Sequence, residues 1–170
     1  MLRTYIANLG KYNEGFLVGE WVDLPITEEE LEEVYERIGI SEEPDENGNI
    51  YEETAIHDYE TDLPITVGEW DNVLELSEAI EVFEDLQEWE LETVKALLEA
   101  GYYSDILEAV EKVDNYTLIE AEDDYDLGYY FYEQGCIEIP EHLVNYFDFA
   151  AYGRDISFDG AYTSYGFLLG

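Results

Sequence analysis

Basic residues are scarce in this chain. Only 6 of its 170 residues are Lys or Arg, against 44 Asp and Glu, which gives a formal net charge of −38. No basic residue lies between Arg37 and Lys95, so surface ion-pair networks lack their positive partners. The sign of the charge argues against direct binding to DNA, RNA or an anionic membrane. We therefore expect a strongly positive partner: a metal ion, a basic protein, or a protein surface that holds nucleic acid.

Cysteine and long apolar segments are also missing. Cys136 is the only cysteine, so neither an intrachain disulfide nor a multi-cysteine metal site can form, which is typical of an intracellular protein. The N-terminal residues lack the apolar run of a signal peptide, and no segment has the length of a transmembrane helix. The sequence therefore predicts a cytoplasmic protein with no membrane partner.

Apolar and aromatic residues, by contrast, are plentiful. Hydrophobic residues make up 46% of the chain and aromatic residues 15%, including 16 Tyr and 3 Trp. A disordered acidic chain lacks such residues, because it cannot bury enough apolar surface to offset the entropy of ordering. The acids are also interleaved with Leu, Ile, Val and Tyr, whereas disordered acidic tails come as blocks. The chain is therefore expected to fold.

The residue pattern predicts an α+β fold that is elongated and divided into three small lobes. Residues 1–61 are expected to form an antiparallel sheet with one helix, residues 62–113 a helical bundle, and residues 114–170 a second α+β lobe. In the first lobe, strands are predicted over 3–8, 16–22 and 53–59, with a turn at Tyr12–Gly15. Thr27 and Glu30 form a capping-box pattern before a helix that Gly39 ends.

The other two lobes are predicted in the same way. Helices are expected between Val73 and Val113, interrupted at Gly101 and resuming after a cap at Ser104. In the third lobe we expect a strand over 116–121, a helix over 123–135, a helix from Pro140 to Phe149, and one closing strand over 161–169. The three tryptophans are expected to pack in the core or between lobes.

Familiar catalytic and metal-binding patterns are absent. Asp45, Asn47 and Asn49 alternate as in a calcium loop, but Ile56 stands where an EF-hand needs its last acid, so an Asn-Gly turn is the better interpretation. Among so many acids some pair always lies close together, so proximity is weak evidence for a glycosidase. The two histidines are in no metal-binding spacing and Cys136 has no evident base. We predict no enzyme, no cofactor and no metal site.

The acidic helix from Glu28 to Arg37 carries an energetic penalty. Like charges face each other there at i,i+3 and i,i+4, and at about 0.2–0.5 kcal/mol per pair they cost roughly 1–3 kcal/mol. The helix dipole offsets only part of this cost, because it stabilises only the acids of the first turn. Because a domain of this size is stable by about 5–15 kcal/mol, some role other than stability must favour these residues.

The charge density suggests what that role is. DNA carries one charge per roughly 1.7 Å of axis, so a charge of −38 corresponds to a duplex about 65 Å long, or close to 19 base pairs. A compact protein of this length would be only roughly 40 Å across. Matching DNA therefore requires an elongated molecule. Adaptation to high salt is the plainer explanation and stays open, whereas solubility alone needs a charge of magnitude only about 2–8.

Two parts of the sequence resemble the ArdA antirestriction proteins of conjugative plasmids and transposons. The first holds Tyr5, the Tyr12-Asn13-x-Gly15 cluster and Gly19-x-Trp21-Val22-Asp23-Leu24; the second consists of "DDYDLGYYFYEQG" and "YFDFAAYGRDI". The resemblance implies a mimic of B-form DNA that occupies the DNA-binding groove of type I restriction–modification enzymes. It also implies inhibition of restriction, and often of methylation, without catalysis, which protects a mobile genetic element entering a new host.

The resemblance further implies an elongated homodimer joined through its C-terminal domain. Such a dimer would carry twice −38, which corresponds to about 38 base pairs by the same rule. We place its interface in the third lobe, whose aromatic content exceeds the needs of so small a core. The proposed interface residues are Tyr116, Leu118, Phe147, Phe149 and Phe167.

The carboxylates are then interpreted as phosphate surrogates that act through a shared field. In the first lobe they are Glu28, Glu29, Glu32, Glu33, Glu36, Glu42, Glu43, Asp45 and Glu46. In the middle lobe they are Glu75, Glu78, Glu81, Glu84, Asp85 and Glu88. In the third lobe they are Glu120, Glu122, Asp123, Asp124 and Asp126. The alternative function is an acidic adaptor or chaperone for basic nucleic-acid-binding proteins.

Overall fold

The protein contains two sheets in two compact units. The computed structural model describes all 170 residues, and the chain divides into Met1–Asp85 and Leu86–Gly170. Each unit has a three-stranded antiparallel sheet together with helices, which confirms the predicted α+β class. The division between the units falls inside the expected middle lobe of 62–113, so the three lobes and the elongated shape stay predictions.

The sheet of the first unit is built around the N-terminal strand. The elements are β1 (Leu2–Asn8), α1 (Leu9–Asn13), β2 (Gly19–Leu24), α2 (Glu28–Ile38), β3 (Thr54–Thr61) and α3 (Val73–Glu84). Strand β1 lies in the centre, antiparallel to β2 on one side and to β3 on the other. Its buried residues Leu2, Ile6 and Ala7 belong to the core of this unit. The three predicted strands are thus present, with shifted ends.

The connection from β1 to β2 differs from the predicted turn. The side chain of Asn8 accepts a hydrogen bond from the Lys11 backbone N–H and so caps the short helix α1. This helix uses residues assigned to a plain loop, so β2 begins at Gly19 rather than Phe16. Phe16 and Leu17 are left exposed before the strand.

Helix α2 matches its sequence prediction closely. Thr27 accepts from the Glu30 backbone N–H, and the Glu30 carboxylate accepts from the Thr27 N–H in return, which completes the capping box. Leu31 and Val34 are buried, and Gly39 ends the helix with a left-handed φ of 77°. The amide of buried Asn8 donates to the carbonyls of Ile38 (3.1 Å) and Gly39 (3.2 Å), so one side chain serves the ends of two helices.

The second unit contains more helix and a smaller sheet. Its elements are α4 (Glu88–Glu99), α5 (Ile106–Lys112), β4 (Thr117–Ile119), α6 (Asp124–Glu133), α7 (Phe149–Ser157), β5 (Gly160–Thr163) and β6 (Gly166–Leu169). Two 3-10 helices cover Val113–Asn115 and Glu141–Tyr146. The strand order is β4-β6-β5, and Ile119, Leu127 and Phe167 form the centre of its core.

Three sequence predictions in the second unit are wrong in detail. The single closing strand is a hairpin, because the chain reverses between Thr163 and Gly166. The helix expected from Pro140 to Phe149 is a 3-10 helix that ends at Tyr146, since Asp148 caps a new helix by accepting from a backbone N–H three residues on. Asp105, not Ser104, caps α5.

Helices α6 and α7 cross at two glycines. A Cβ on Gly153 would overlap the carbonyl oxygen of Asp124, and a Cβ on Gly128 would overlap that of Phe149. Any side chain there would force the two backbones apart. Both glycines are buried, so this close approach fixes the geometry of the aromatic helix pair.

Candidate functional site

The predicted acidic surface of the first unit begins on helix α2. The carboxylates of Glu28, Glu29, Glu32, Glu33 and Glu36 are all exposed, opposite the buried face of the helix. Arg37, the only basic residue of this helix, lies in its last turn, and among these five carboxylates it pairs only with Glu33. Arg37 donates two hydrogen bonds to Glu20, at 2.9 and 2.8 Å, and lies 3.6 Å from Glu33. The bond to Arg37 lowers the pKa of Glu20.

The loop after α2 continues the acidic surface. Glu42, Glu43 and Glu46 are exposed, whereas Asp45 is half-buried and builds the turn. Its carboxylate accepts from the backbone N–H groups of Asn47 (2.8 Å) and Asn49 (2.9 Å), and these bonds lower its pKa. The interpretation of this segment as an Asn-Gly turn is therefore confirmed. Asp45 shapes the loop, and its three neighbours supply charge that no partner offsets.

Helix α3 presents a regular row of acids. Its buried side is formed mainly by Val73, Ala79, Ile80 and Phe83. Carboxylates recur every third residue on the exposed part of its surface, at Glu75, Glu78, Glu81 and Glu84. Asp85 follows at the C-terminal cap, and Glu88, also exposed, opens α4 in the second unit. Side chains three residues apart on a helix lie about 5–6 Å apart, which is similar to phosphate spacing along a strand.

The acids before and within α6 also have structural tasks. Glu120 and Glu122 are exposed, while Asp123 caps the helix by accepting from the Asp126 backbone N–H at 3.0 Å. Asp126 in turn accepts from the Glu122 N–H at 3.3 Å. Asp124 is half-buried and accepts from the Tyr162 hydroxyl at 2.9 Å. Burial and this carboxylate together raise the pKa of Tyr162.

Most of the scarce cations are engaged within their own unit, including Arg154, which lies 3.9 Å from Asp124. Arg3 lies 2.6 Å from Asp23 and 5.4 Å from the centre of the Trp21 ring. Lys11 lies over the ring of Tyr51 at 4.9 Å, and Lys95 over that of Tyr165 at 6.0 Å. Since these cations contact carboxylates or rings of their own unit, the predicted surface stays overwhelmingly negative.

The predicted dimer residues differ in how much surface they offer. Phe149 and Phe167 are 4% and 0% exposed, because they fill the core of the second unit. Tyr116 and Leu118 are half-buried, and Phe147 is exposed. Two of the five predicted residues therefore have no area left for a second chain, and the interface stays a prediction that depends on the other three.

Sequence reasoning missed an apolar groove beside Phe147. The groove has a volume of about 410 Å³ and is lined by Glu138, Ile139, Pro140, Leu143, Tyr146 and Phe147. Tyr146 is 85% exposed, which is unusual for a large ring. The sequence did hold a hint, since "IEIPEHLVNYF" combines few acids with several apolar residues.

The expected burial of the tryptophans is wrong for two of the three. Trp70 is 67% exposed and Trp89 is 50% exposed, whereas Trp21 is half-buried against Tyr5. Each of these two exposed tryptophans has an acidic residue on both sides in the sequence. They are thus part of the acidic surface rather than of a core.

The structure contains neither a metal-binding cluster of side chains nor a helix suited to cross a membrane. No group of three or more His, Cys, Asp and Glu side chains has a suitable arrangement for a metal ion. No helix combines the length and the apolar character that crossing a bilayer requires.

Comparison with known protein families identifies the chain. The model of the antirestriction protein family ArdA matches residues 4–168, which is nearly the whole chain and includes both units. The chain belongs to the ArdA family. No match is found among curated proteins. ArdA membership supports an antirestriction function, and it confirms the resemblance drawn from the Tyr-Asn-Gly cluster and the aromatic C-terminal segments.

Proposed function

We propose that this ArdA protein mimics B-form DNA and blocks type I restriction–modification enzymes by occupying their DNA-binding groove. It does so without catalysis and acts in the cytoplasm, on both the methyltransferase core and the full restriction complex. The protected DNA is that of a mobile genetic element.

One observation carries this proposal: most of the predicted carboxylates are on the surface, and only Glu33 and Asp124 among them lie in an ion pair with an arginine. Of the twenty predicted surrogates, all but Asp45 and Asp124 are exposed. A groove that binds DNA is lined by positive charge. A protein surface with this sign and density of charge would be attracted into the groove and would compete there with DNA. Because the field is shared, no single carboxylate should dominate.

An elongated homodimer completes the proposal. Two chains of charge −38 repel each other, so their contact requires an apolar surface with few acids. The groove at Leu143, Tyr146 and Phe147 supports such a contact, because Glu138 is the only carboxylate among the residues that line it. The expected partner of this groove is the same groove on a second copy, in two-fold symmetry.

Competition with DNA tests the mimicry. The protein is titrated against a type I enzyme bound to a labelled duplex that carries its recognition site, and the released DNA is measured. Near-stoichiometric displacement and complete loss of cleavage are expected. An adaptor for basic proteins would instead bind many of them weakly, and would displace no DNA at equal concentration; that result would reject the mimic.

Charge variants test the distributed field. Replacing Glu28, Glu29, Glu32, Glu33 and Glu36 together by Gln should weaken inhibition at least about tenfold, while each single change should weaken it less than about twofold. The matched control replaces five exposed acids outside the predicted set: Glu92, Glu108, Glu111, Asp114 and Asp159. Equal losses in both variants would indicate a general charge effect without a defined surface.

Sedimentation and solution scattering test the dimer. Tyr146→Ser combined with Leu143→Ser should give monomers at micromolar concentration. Phe158→Ser is the control, because this ring is 81% exposed in the same unit but lies outside the groove. A wild-type protein that stays monomeric, or a round particle in scattering, would overturn this part of the proposal.

A further inference from the structure

Trp70 differs from the other two tryptophans in its backbone setting. Trp21 is in strand β2 and contacts Tyr5 and Arg3, so its ring packs within the first unit. Trp89 lies in the first turn of helix α4. Trp70 instead lies at the tip of a turn and is the most exposed of the three, at 67%. Its ring packs in no aromatic pair, although it is among the largest apolar groups in the chain.

The turn that carries Trp70 is held firmly. The Asp71 backbone N–H donates to the Gly68 carbonyl at 3.3 Å, and the Gly68 N–H donates to the Asp71 carboxylate at 2.7 Å. The carbonyl of Glu69 accepts from the Ile56 N–H of strand β3 at 2.9 Å, which ties the turn to the sheet. A Cβ on Gly68 would lie 2.9 Å from the Asp71 carboxylate oxygen, so glycine suits this position.

An acid stands on each side of this ring in the sequence of the turn. Glu69 and Asp71 are both exposed and directly flank Trp70 in the chain. Helix α3, with its row of carboxylates, follows directly: Asn72 is its N-cap and Val73 its first residue. The local order is therefore acid, large planar ring, acid, and then a negatively charged helix.

This order has a counterpart in the DNA that a methyltransferase binds. Enzymes that modify a base in duplex DNA rotate it out of the stack into a pocket, where aromatic and apolar side chains stack on its faces. The rotated nucleotide is then a planar ring between two backbone phosphates, outside the duplex. The indole of tryptophan is a fused six- and five-membered ring system, as is a purine.

We propose that Trp70 mimics a flipped purine and enters the base pocket of the methyltransferase core, with Glu69 and Asp71 beside the flanking phosphate contacts. This inference rests on the proposed function, because it needs a DNA methyltransferase as partner. It adds a specific anchor to the distributed field. The anchor blocks the methylation site itself, so modification as well as restriction is inhibited.

Trp89 supplies the matched control. It is flanked by Glu88 and Glu90 and is 50% exposed, so its sequence neighbourhood and exposure are similar. Trp89 belongs to a helix, however, where successive side chains point about 100° apart, whereas Trp70 belongs to a turn. A flipped-base role is therefore assigned to Trp70 and not to Trp89.

Inhibition of methyl transfer by the methyltransferase core tests the proposal. Trp70→Ala should raise the inhibition constant at least about tenfold, Trp70→Phe should give an intermediate value, and Trp89→Ala should change it less than about twofold. Binding of all variants to poly-lysine, which has no base pocket, should be equal. Circular dichroism verifies that the variants are folded, which is expected for an exposed ring.

Fluorescence gives a second readout at the ring itself. In a Trp21→Phe/Trp89→Phe variant, Trp70 is the only tryptophan, and its emission should shift to shorter wavelength when the enzyme binds. Inhibition by Trp70→Ala equal to that of the wild type, or an unshifted emission in the bound state, would overturn the inference while the DNA-mimic function stands. A wild-type protein that does not compete with DNA would instead reject the proposed function, and this inference with it.

Discussion

The two units hold their fixed carboxylates with different proportions of cations and neutral donors. In the first unit, Arg3 holds Asp23 and Arg37 holds Glu20, while the Tyr51 hydroxyl donates to Glu14. In the second, the N–H and hydroxyl of Ser164 donate to Glu99, and the Tyr162 hydroxyl donates to Asp124, which Arg154 approaches only to 3.9 Å. A cation cancels the charge that it positions, whereas a hydroxyl leaves the charge intact. The second unit therefore relies more on donors that leave its carboxylates charged.

The units also differ in what keeps their helices in place. Helix α2 depends on side chains at its ends, namely the capping box and the amide of Asn8. Helices α6 and α7 depend on the absence of side chains, because Gly128 and Gly153 allow the backbones to touch. A substitution in the first arrangement removes hydrogen bonds, whereas one in the second inserts atoms between two backbones.

The largest effect is expected from Gly153→Ala. The new Cβ would overlap the Asp124 carbonyl, so α6 and α7 must separate and the aromatic cluster around Phe149 must repack. Overpacking costs typically about 1–3 kcal/mol and occasionally more, and we expect the upper end or beyond. Urea unfolding measures the change. Gly135→Ala is the control: it has open space, and only its left-handed φ of 73° opposes a side chain. Equal losses would show that the close approach is not required.

A smaller loss is expected from Asn8→Ala in the first unit. This change removes three hydrogen bonds and leaves the α2 carbonyls unpaired beside a buried site. Each unsatisfied buried group costs about 1–3 kcal/mol, so a total near the upper value is expected. The control is Asn72→Ala, which removes an exposed cap worth about 1 kcal/mol. Amide hydrogen exchange should show lost protection in α2; unchanged protection there would contradict the role of Asn8.

The neutral donors of the second unit should make it sensitive to alkaline pH. The hydrogen bond between Tyr103 and Tyr116 raises the pKa of Tyr103 to about 12, above the usual value of about 10. The folded state therefore keeps this proton longer than the unfolded state, so the stabilisation is complete below about pH 10 and is lost as pH rises toward about 12.

Urea unfolding at about pH 9 and about pH 11 measures this dependence. Tyr103→Phe should reduce the difference between the two values, whereas Tyr102→Phe, which leaves the hydrogen bond in place, should not. A wild-type protein with equal stability at both values would contradict the coupling. The Arg37–Glu20 pair is expected to be insensitive here, because its partners keep their charges over this range.

The smallest effect, and the only gain, is expected from Glu32→Gln combined with Glu36→Gln. These two acids are an i,i+4 pair of like charge on an exposed face, so removing the repulsion should stabilise the first unit by about 0.2–0.5 kcal/mol. Thermal unfolding at low ionic strength detects it best, since salt screens exposed charges. Glu29→Gln alone is the comparison, because its position in the first turn favours a negative charge. A destabilised double variant would contradict the predicted repulsion.

Some elements could be predicted from the sequence because every local preference agreed. Helix α2 has a capping box, an apolar face with helical spacing and a terminal glycine, and all three are present as predicted. Strand β1 was predicted over 3–8 and is present over Leu2–Asn8. The exposure of most acids was also predictable, since an unpaired carboxylate is rarely buried.

Other features depend on contacts that a local pattern does not reveal. The β5–β6 hairpin interrupts an apolar segment only at Thr163, Ser164 and Gly166, and Gly166 has a φ of 132° at the reversal. Likewise, the end of the 3-10 helix at Tyr146 follows from the cap at Asp148, which competes with continuation of the earlier helix. The exposure of Trp70 is harder still. The tripeptide Gly-Glu-Trp occurs at 19–21 in a strand and at 68–70 in a turn, and only the pairing of Asp71 with Gly68 separates the two.

The exposed Cys136 just after α6 has a practical consequence. Because it is the chain's only thiol, a maleimide dye would attach at one defined point per molecule with no substitution needed. In an assembly of two copies, the pair of dyes would act as a spectroscopic ruler between the two α6 ends. The same label, attached to the unmodified protein, would report how deeply the second unit enters an enzyme's cleft.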